Sequence, residues 1–352
     1  MSLLVLSGPD VDRVTSALTS ETLQNLMAEV FFYISANKNI VTPQRSGIEM
    51  SKFRALFMPS RIAGVGTSIK VVSVPTGPSR GLPGSTLVID EDTGAAKAIV
   101  NASNLTALRT AAGSTLATAL LHPPDDALFR TLVAFGAGKQ IQAHVDLLLT
   151  TYQSLKEVTI VNRSLNERIT GLVSYLRSRH PSVVFKIGVT SISSELFDLQ
   201  ATVTSADIIC TATSSSVPLF PSEWVRPGVH LILVGSYTPS MHEIDTELVR
   251  RGGVIVVDSR EACLVEAGEL LTAGIKEENI VEIGQLVQEI GHEDGQWKWK
   301  RNDEVVTRLS NVGDVTIFKS VGVGAQDVAI AAAVVERAKE MGVGVTVKDY
   351  SE

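Results

Sequence analysis

The chain has 352 residues, of which 44% are hydrophobic and 20% charged, and its net charge is −7. This length exceeds one ordinary core and predicts a globular protein of two domains. The acidic balance, without a long basic run, argues against binding nucleic acid through a charged face. No apolar run reaches the ~18–20 residues of a membrane helix, and the start of the chain lacks signal-peptide features. We therefore expect a soluble, cytoplasmic protein that does not bind a membrane.

Cysteine and histidine usage gives no sign of a disulfide or a metal site. Cys210 and Cys263 both lie in apolar, strand-like contexts, which favours buried structural thiols. The six histidines show neither H-x-x-x-H nor any other ligand spacing, so the sequence predicts no bound metal.

The first third of the chain predicts helices followed by short strands. Residues 12–37 have apolar spacing typical of helices. Strands separated by glycine-containing turns are predicted at 53–60, 66–75, 85–90 and 95–101. An alanine-rich helix over 103–121 follows, and the HPPDD segment at 122–126 is predicted to be a linker.

The second half predicts buried strands alternating with helices, at 131–135, 158–161, 183–187, 206–212, 229–235 and 253–259. Near-continuous Val, Ile and Leu runs indicate a parallel sheet covered on both faces. Six such strands fit a doubly wound, Rossmann-type dinucleotide-binding domain. A later strand at 314–320 and its helix are expected to return to the first domain. The predicted fold is α/β, with a Rossmann domain at 126–314 and a discontinuous α+β domain at 1–125 plus 315–352.

A G-x-G turn joins the strand at 131–135 to the next helix. Gly136 and Gly138 permit a tight turn and a close approach of pyrophosphate, and the helix start at Lys139 and Gln140 offers free amides. Ile141 stands where the usual third glycine would be, which weakens the motif taken alone. A glycine turn of an ordinary α/β protein is the alternative, but the strand–turn–helix context favours cofactor binding.

The second strand of this domain ends in Asn162, Arg163 and Ser164 rather than in an acid. NAD enzymes usually place an acid here for the ribose hydroxyls, whereas an arginine suits a 2′-phosphate. The sequence therefore favours NADP(H) over NAD(H) as cofactor. The alternative for Arg163 is a solvated surface charge.

The fourth strand ends in small hydroxyl residues that include Thr211, Thr213 and Ser214. Loops at the carboxyl ends of strands line the ligand crevice of such folds, so these residues are candidate contacts to ribose or nicotinamide. A simple Ser/Thr turn is the alternative for each.

Three basic residues of the first domain are candidate substrate ligands. Arg45 follows a proline turn, Lys70 lies within a strand, and Arg109 lies on the alanine-rich helix. An arginine fork binds a carboxylate with two hydrogen bonds, and a lysine in an apolar strand must be paired or line a cavity. Each could instead be a surface charge whose stem packs on apolar neighbours. Strand alternation leaves the direction of Lys70 open.

Six segments, in order from about residue 40 to 340, together resemble the ornithine cyclodeaminase/μ-crystallin family. The resemblance implies a discontinuous outer domain that binds substrate and forms a homodimer. It also implies a nicotinamide cofactor acting on small amino acids or cyclic imino acids. The segments are GLPGSTLVIDEDTGAAKAIVNASNLTALRTAAGSTLA, FGAGKQIQAH, VNRS, VGSYTPSMHEID, VVDSREACLVEAGEL and VTIFKSVGVGAQDVA.

The resemblance also implies roles for individual residues. The substrate-carboxylate arginines of the family fall on Arg45 and Arg109, and its active-site lysine falls on Lys70. The nicotinamide-side KSVG segment of the family is present here as Lys319, Ser320, Val321 and Gly322.

One loop departs from part of the family. Cyclodeaminases and alanine dehydrogenases of the family carry an aspartate after the fifth strand, whereas residues 235–239 here read GSYTP. Asp245 comes later, where HEID is typical of a helix start. This loop resembles that of imine reductases or opine-type dehydrogenases, and Tyr237 is a candidate to line the substrate pocket or assist protonation.

The expected function is that of an NADPH-dependent oxidoreductase, an imine reductase of amino-acid metabolism. Its substrate would be a cyclic ketimine carboxylate, Δ1-pyrroline-2-carboxylate or Δ1-piperideine-2-carboxylate, reduced to proline or pipecolate. One alternative is ornithine cyclodeaminase, which forms proline and ammonia. Another is a non-catalytic NADPH-binding protein like μ-crystallin, against which three convergent cations argue.

Overall fold

The structure is a computed structural model that describes residues 2–77, 81–126, 129–190, 197–293, 296–309 and 312–350. The chain divides into two compact units, each with its own sheet. The first unit contains the residues up to Thr110 and those from Gly322 onward, and the second runs from Ala111 to Val321.

The helices and strands are numbered in chain order. The helices are α1 (Gly8–Thr15), α2 (Ser20–Ala36), α3 (Ser103–Leu121), α4 (Lys139–Thr151), α5 (Glu167–Arg179), α6 (Leu199–Thr204), α7 (Thr246–Arg251), α8 (Arg260–Glu266), α9 (Gly268–Ala273), α10 (Asp303–Leu309) and α11 (Gly324–Met341). The strands are β1 (Leu3–Leu6), β2 (Ile40–Val41), β3 (Ser46–Glu49), β4 (Phe53–Ile62), β5 (Gly66–Pro75), β6 (Gly84–Ile89), β7 (Ala96–Asn101), β8 (Thr131–Phe135), β9 (Glu157–Asn162), β10 (Val184–Val189), β11 (Ile208–Thr211), β12 (His230–Leu233), β13 (Ile255–Val257), β14 (Ile280–Glu282), β15 (Val287–Glu293), β16 (Gln296–Arg301), β17 (Thr316–Lys319) and β18 (Val345–Val347).

The sheet of the first unit is mostly antiparallel and carries α11 on one face. Its order is β18-β1-β7-β6-β5-β4-β2, with β3 also paired to β4, and only β1 and β7 run parallel. Helix α11 packs across β4 and β5, and α2 packs against α11. The first residue of α11 is Gly324, where a side chain would overlap Ser60 of β4, so the helix approaches the sheet closely at this end.

The eight-stranded sheet of the second unit is parallel throughout, in the order β10-β9-β8-β11-β12-β17-β13-β14. Strands β15 and β16 of this unit form a separate antiparallel pair. The chain moves outward from β8 to β10 on one side and continues from β11 on the other side. Ligands of doubly wound sheets bind outside the carboxyl ends of the strands at such a reversal point. A ligand is therefore expected at the loops that follow β8, β11 and β12.

One strand lies elsewhere than the sequence predicts. The strand expected at 314–320 to return to the first domain is β17, which lies between β12 and β13 in the parallel sheet. The chain enters the first unit only from Gly322, seven residues after the predicted boundary at 315, and it leaves that unit after Thr110, within α3. Three of the four residues of β17 are fully buried, as expected of a central strand covered on both faces.

Several local predictions are confirmed. Helix α3 spans Ser103–Leu121, and β5 spans Gly66–Pro75 as the turn signals indicate. Asp245 is the N-cap of α7 and accepts a hydrogen bond from the backbone of Leu248. Cys210 and Cys263 are both buried free thiols.

No helix in the described ranges is both long and apolar enough to cross a membrane.

Candidate active site

Lys70 lies in the middle of β5, opposite Met58 of β4 and Thr86 of β6. Its side chain is 1% exposed and shares the buried face of the sheet with Ser68 and Val72. The strand alternation that the sequence leaves open therefore points Lys70 inward, towards α11. A buried ammonium in this position requires a partner, because an unpaired buried charge is costly.

The partner of Lys70 is Asp327, in the first turn of α11. The Lys70 Nζ atom lies 2.8 Å from Asp327 Oδ2, and Arg109 Nε lies 3.4 Å from Asp327 Oδ1. The other end of the Arg109 guanidinium donates to Gln326 Oε1 at 2.6 Å. All four side chains are at most 4% exposed. Two buried cations thus share one buried carboxylate, with Gln326 as a neutral acceptor beside it.

The backbone at Gly322 leaves room for Arg109. A Cβ atom at this glycine would lie 2.6 Å from one terminal nitrogen of Arg109 and 2.7 Å from the other. Gly322 also has a φ of +80°, a conformation that L side chains rarely adopt. At Gly322, the segment before α11 therefore presents only its backbone to the guanidinium.

The charges of two arginines, Arg109 and Arg45, act on Lys70. Burial lowers the pKa of Lys70 to about 8; the charge of Asp327 opposes this, and the charges of Arg109 and Arg45 add to it. Arg45, just before β3, is half-buried and close enough to disfavour the Lys70 ammonium. The three predicted cations therefore form one electrostatic cluster, which can bind an anion and donate a proton.

In the second unit, the loop after β8 fits a dinucleotide. Gly136 has a φ of +116°, and a Cβ atom there would lie 2.8 Å from the carbonyl oxygen of Ala212. Helix α4 begins at Lys139 behind Gly138, which supplies no side-chain cap, so its first amides stay available to an anion. The Gln140 Oε1 atom is buried and has no hydrogen-bond partner among the described residues.

The end of β9 presents an arginine to solvent. Asn162 Nδ2 donates to the carbonyl of Ser164 at 2.8 Å, and Asn166 caps α5, which together fix the turn. Arg163 is exposed, and its guanidinium makes no ion pair or hydrogen bond within the described part of the chain. The turn can therefore offer Arg163 and the Ser164 hydroxyl to an anionic group.

The end of β11 is organised by a carboxylate that the sequence did not single out. Glu243 is fully buried and accepts hydrogen bonds from the Thr211 and Thr213 hydroxyls, both at 2.8 Å. It also accepts from the backbone N–H of Thr213 at 2.7 Å and of Gly235 at 2.6 Å. Thr211 is wholly buried and Thr213 half-buried, whereas Ser214 is exposed. Of the three predicted hydroxyls, two are thus bound to Glu243.

The loop after β12 is tied to the start of α9. Ser236 Oγ donates to the carbonyl of Met241 at 2.6 Å and accepts from the N–H of Gly268 at 3.2 Å. A side chain at Gly268 would overlap the carbonyls of residues 238, 239 and 241, so the loop lies directly on this glycine. Tyr237 is half-buried and packs against the core of the second unit.

The end of β17 carries a second buried network. Lys319 Nζ lies 3.0 Å from Glu269 Oε1, and both side chains are fully buried. Ser320 Oγ donates to Asp258 Oδ2 at 2.7 Å, and Val321 belongs to the hydrophobic core. The side chains of this predicted cofactor segment are therefore engaged inside the second unit.

The sequence alone missed five of these groups: Asp327, Gln326, Glu243, Asp258 and Glu269. Each is polar or acidic and stands within or beside an apolar segment, such as GAQDVA or EAGEL. Such residues are rarely buried unless paired, which is the one signal that could have identified them. Within the described ranges, no group of three or more His, Cys, Asp or Glu side chains is arranged to hold a metal ion.

Both a family profile and individual relatives match most of this chain. The profile of the ornithine cyclodeaminase/mu-crystallin family matches residues 10–342. Delta(1)-pyrroline-2-carboxylate reductase of Bacillus cereus is 30% identical over 351 residues, covering 94% of this chain and 98% of that protein. Ketimine reductase mu-crystallin of Mus musculus is 31% identical over 247 residues, covering 70% of this chain and 67% of that protein.

A solved structure shares the fold. Delta(1)-pyrroline-2-carboxylate reductase of Thermococcus litoralis, in complex with NADH and L-proline, matches with a TM-score of 0.79 at 24% identity. The match covers 98% of this chain and 100% of that chain, so both sheets have counterparts in it.

Replacing Asp327 with asparagine should strongly destabilise the protein. Asp327→Asn leaves Lys70 and Arg109 buried without a counter-charge, and breaking a buried ion pair in this way costs about 3–5 kcal/mol. We expect a loss of this size in the free energy of unfolding, measured by urea denaturation. Asp92→Asn, in an exposed turn, is the matched control and should change it by less than about 0.5 kcal/mol. Equal stabilities of the two variants would contradict the charge-sharing arrangement.

Proposed function

The chain belongs to the ornithine cyclodeaminase/mu-crystallin family, and from this premise we propose that it is an NADPH-dependent imine reductase. Its substrate would be a cyclic ketimine carboxylate, Δ1-pyrroline-2-carboxylate or Δ1-piperideine-2-carboxylate. The product would be proline or pipecolate. The names of the two relatives, a pyrroline-2-carboxylate reductase and a ketimine reductase, support this reaction class.

The observation that carries the proposal is the unbalanced buried charge of the first unit. Lys70 and Arg109 share the carboxylate of Asp327, which leaves one positive charge in excess. An anionic ligand would restore the balance, and a carboxylate matches the fork of an arginine. A substrate carboxylate bound by Arg45 and Arg109 therefore explains why so much positive charge is retained in one place.

The Lys70 ammonium is suited to supply the proton. Reduction of an imine adds hydride to carbon and a proton to nitrogen, so the site needs an acid. A group whose pKa lies near the working pH is the most effective one. The pKa of Lys70, lowered to about 8, meets this condition, while Asp327 keeps the protonated form available below that pH. After the transfer, the lysine would regain its proton from solvent.

The residues of the second unit fit a nicotinamide dinucleotide. Gly136, Gly138 and the amides at Lys139 would hold the pyrophosphate, and Gln140 offers an unused acceptor. When bound, such a cofactor supplies the hydride. The exposed and unpaired guanidinium of Arg163 supports the 2′-phosphate form, NADPH, over NADH.

The loop after β12 supports reduction over cyclodeamination. Residues 235–239 contain no acid, and Asp245 is used as a helix cap. Glu243 reaches Gly235 of this loop, but its carboxylate is fully buried and already accepts four hydrogen bonds. No acid of this loop is therefore free to exchange protons with an amino group.

The edge of the first sheet supports assembly of two copies through the first unit. Strands β2 and β3 both pair with β4 at the end of the sheet, and Val41, Ile48 and Met50 are exposed there. An exposed apolar sheet edge favours pairing with a second chain. We therefore propose a homodimer whose interface includes this edge.

The proposed reaction is tested with purified protein, NADPH and each cyclic ketimine carboxylate. We expect steady NADPH oxidation with formation of proline or pipecolate, and in the wild type kcat/KM should fall above about pH 8 as Lys70 loses its proton. Lys70→Ala should lower kcat about 100-fold or more, because general-acid help is lost, while NADPH affinity stays unchanged. Proline and ammonia from ornithine without net cofactor turnover would instead indicate a cyclodeaminase. Tight NADPH binding without turnover of any imine would indicate a binding protein.

The preference for NADPH is tested at Arg163. Arg163→Asp should weaken NADPH binding about 10- to 100-fold, as expected for the loss of a charged hydrogen bond, and leave NADH binding nearly unchanged. Arg168→Asp, exposed on α5, is the matched control with the same change of charge. Dissociation constants come from fluorescence titration. Equal losses for NADPH and NADH would reject the phosphate role of Arg163.

The dimer interface is tested by sedimentation equilibrium. We expect the wild type to sediment as a dimer and Ile48→Lys to shift it towards monomer, because a charge would be buried at the edge of the sheet. Val265→Lys, at an equally apolar and exposed position on α8, should leave the dimer intact. A monomeric wild type, or a dimer unaffected by Ile48→Lys, would contradict this interface.

A further inference from the structure

We infer that Glu243 is a positioning residue for the nicotinamide cofactor: it fixes the Thr213 hydroxyl as a hydrogen-bond acceptor, which receives an N–H or O–H donor of the nicotinamide riboside. This inference rests on the proposed cofactor. It assigns Glu243 a role that the sequence pattern did not suggest, and it gives Thr213 one defined polarity.

Glu243 binds two loops, the one after β11 and the one after β12. Its Oε1 atom accepts from the N–H and the hydroxyl of Thr213, and its Oε2 atom accepts from the Thr211 hydroxyl and the N–H of Gly235. Two of the four donors are backbone N–H groups, which cannot reverse their role. One carboxylate therefore joins the ends of β11 and β12, where ligands of doubly wound sheets bind.

Glu243 orients the hydroxyl of Thr213. A hydroxyl has one proton to donate and two lone pairs to accept with. The proton of Thr213 Oγ1 is given to Glu243, and one lone pair faces the Ser215 N–H at 3.3 Å. The second lone pair has no partner in the described structure. Thr213 is half-buried, and a ligand that reaches this lone pair must donate to it.

Close packing at two glycines, Gly235 and Gly136, holds this geometry. A side chain at Gly235 would overlap both Glu243 Oε1 and the carbonyl of Thr213, so the β12 loop closes directly over the carboxylate. The neighbouring Ala212 carbonyl faces Gly136, where a Cβ atom would lie only 2.8 Å away. The segment that Glu243 holds is thus the one against which the pyrophosphate loop packs.

Buried charges surround Glu243. The pKa of Glu243 is raised, because burial outweighs the opposing effects of the nearby Lys319 and of the hydrogen bonds from Thr213, and the charge of Glu269 adds to the rise. Lys319 is itself paired with Glu269 at 3.0 Å. The carboxylate thus has both a cation and four donors around it, which favours its role as acceptor of the Thr213 proton.

The inference is tested by a double-mutant cycle on cofactor affinity. In Glu243→Gln, an N–H₂ group replaces one acceptor oxygen and meets a backbone N–H in either orientation of the amide, that of Thr213 or that of Gly235. The side chain must therefore shift, and the Thr213 hydroxyl is no longer held in place. Thr213→Val keeps the side-chain shape and removes the hydroxyl. We expect each variant to raise the dissociation constant of NADPH about fivefold to tenfold, the usual size of one hydrogen bond. The double variant should show little further loss, because the two residues act through one contact.

Controls separate positioning from a general effect on the fold. Thr213→Ser keeps the hydroxyl and should restore the affinity of the wild type, and Glu247→Gln, exposed on α7, should leave it unchanged. The KM for the imine should stay within about twofold in all variants, since the altered contact is to the cofactor. Were Glu243→Gln to fail to fold, Glu243→Asp, which keeps the charge but shortens the side chain, would take its place in the cycle with Thr213→Val.

A final arm identifies the donor. The 3-acetylpyridine analogue of NADPH lacks the amide N–H₂ group, so Thr213→Val should have no effect on its affinity if the carboxamide is the donor. An effect equal to that on NADPH identifies a ribose hydroxyl instead. Independent losses in the double variant, or unchanged NADPH affinity in Thr213→Val, would overturn the inference. If the wild type binds neither NADPH nor NADH, the proposed function itself fails, which is a separate result.

Discussion

Two buried cations share one carboxylate in the first unit, and much of that unit is built around this arrangement. Lys70 projects from the inner face of β5 because strand alternation places it there, and Asp327 meets it from the first turn of α11. Glycines at 322 and 324 bring the helix and its leading segment close enough for the ion pairs to form. The single acid stabilises the two cations only in part. The remaining positive charge is what a carboxylate substrate would neutralise.

In the second unit, buried acids outnumber the buried cation that accompanies them. Glu243, Asp258 and Glu269 are buried near the carboxyl ends of its strands, and Lys319 is the cation paired with Glu269. Each acid holds a different segment: the ends of β11 and β12, the end of β17, and Lys319. Loops fixed in this way are ordered before any ligand arrives. Preordered polar groups improve binding because less conformational freedom is lost on association.

Much of the fold could be predicted from local patterns, and the failures have a common cause. Apolar periodicity and turn residues locate α3, β5 and β8, because these signals lie within each segment. Strand β17 was predicted as a strand but assigned to the other domain, since only pairing with β12 and β13 decides its sheet. Strand β1 has an apolar run too short and too close to the chain start to be recognised as part of a sheet.

The candidate site divides in the same way. Lys70, Arg109 and the glycines of the β8 loop stand out in the sequence because their residue types are unusual where they occur. Glu243 and Asp327 do not, because their meaning depends on distant partners. Thr213 precedes Glu243 by 30 residues, and Gln326, beside Asp327, bonds to Arg109 over a separation of 217 residues. No local pattern encodes such a pairing, so only the folded chain reveals it.

The late position of α11 has a consequence for biosynthesis. A ribosome completes the strands that carry Lys70 and the helix that carries Arg109 long before it reaches Asp327. Until then, the emerging part of the first unit holds two cations whose counter-charge has not yet been made, and burying them would be costly. The second unit, by contrast, is one continuous segment from Ala111 to Val321. The first unit can therefore bury these cations only after α11 has been made, which follows the whole of the second unit.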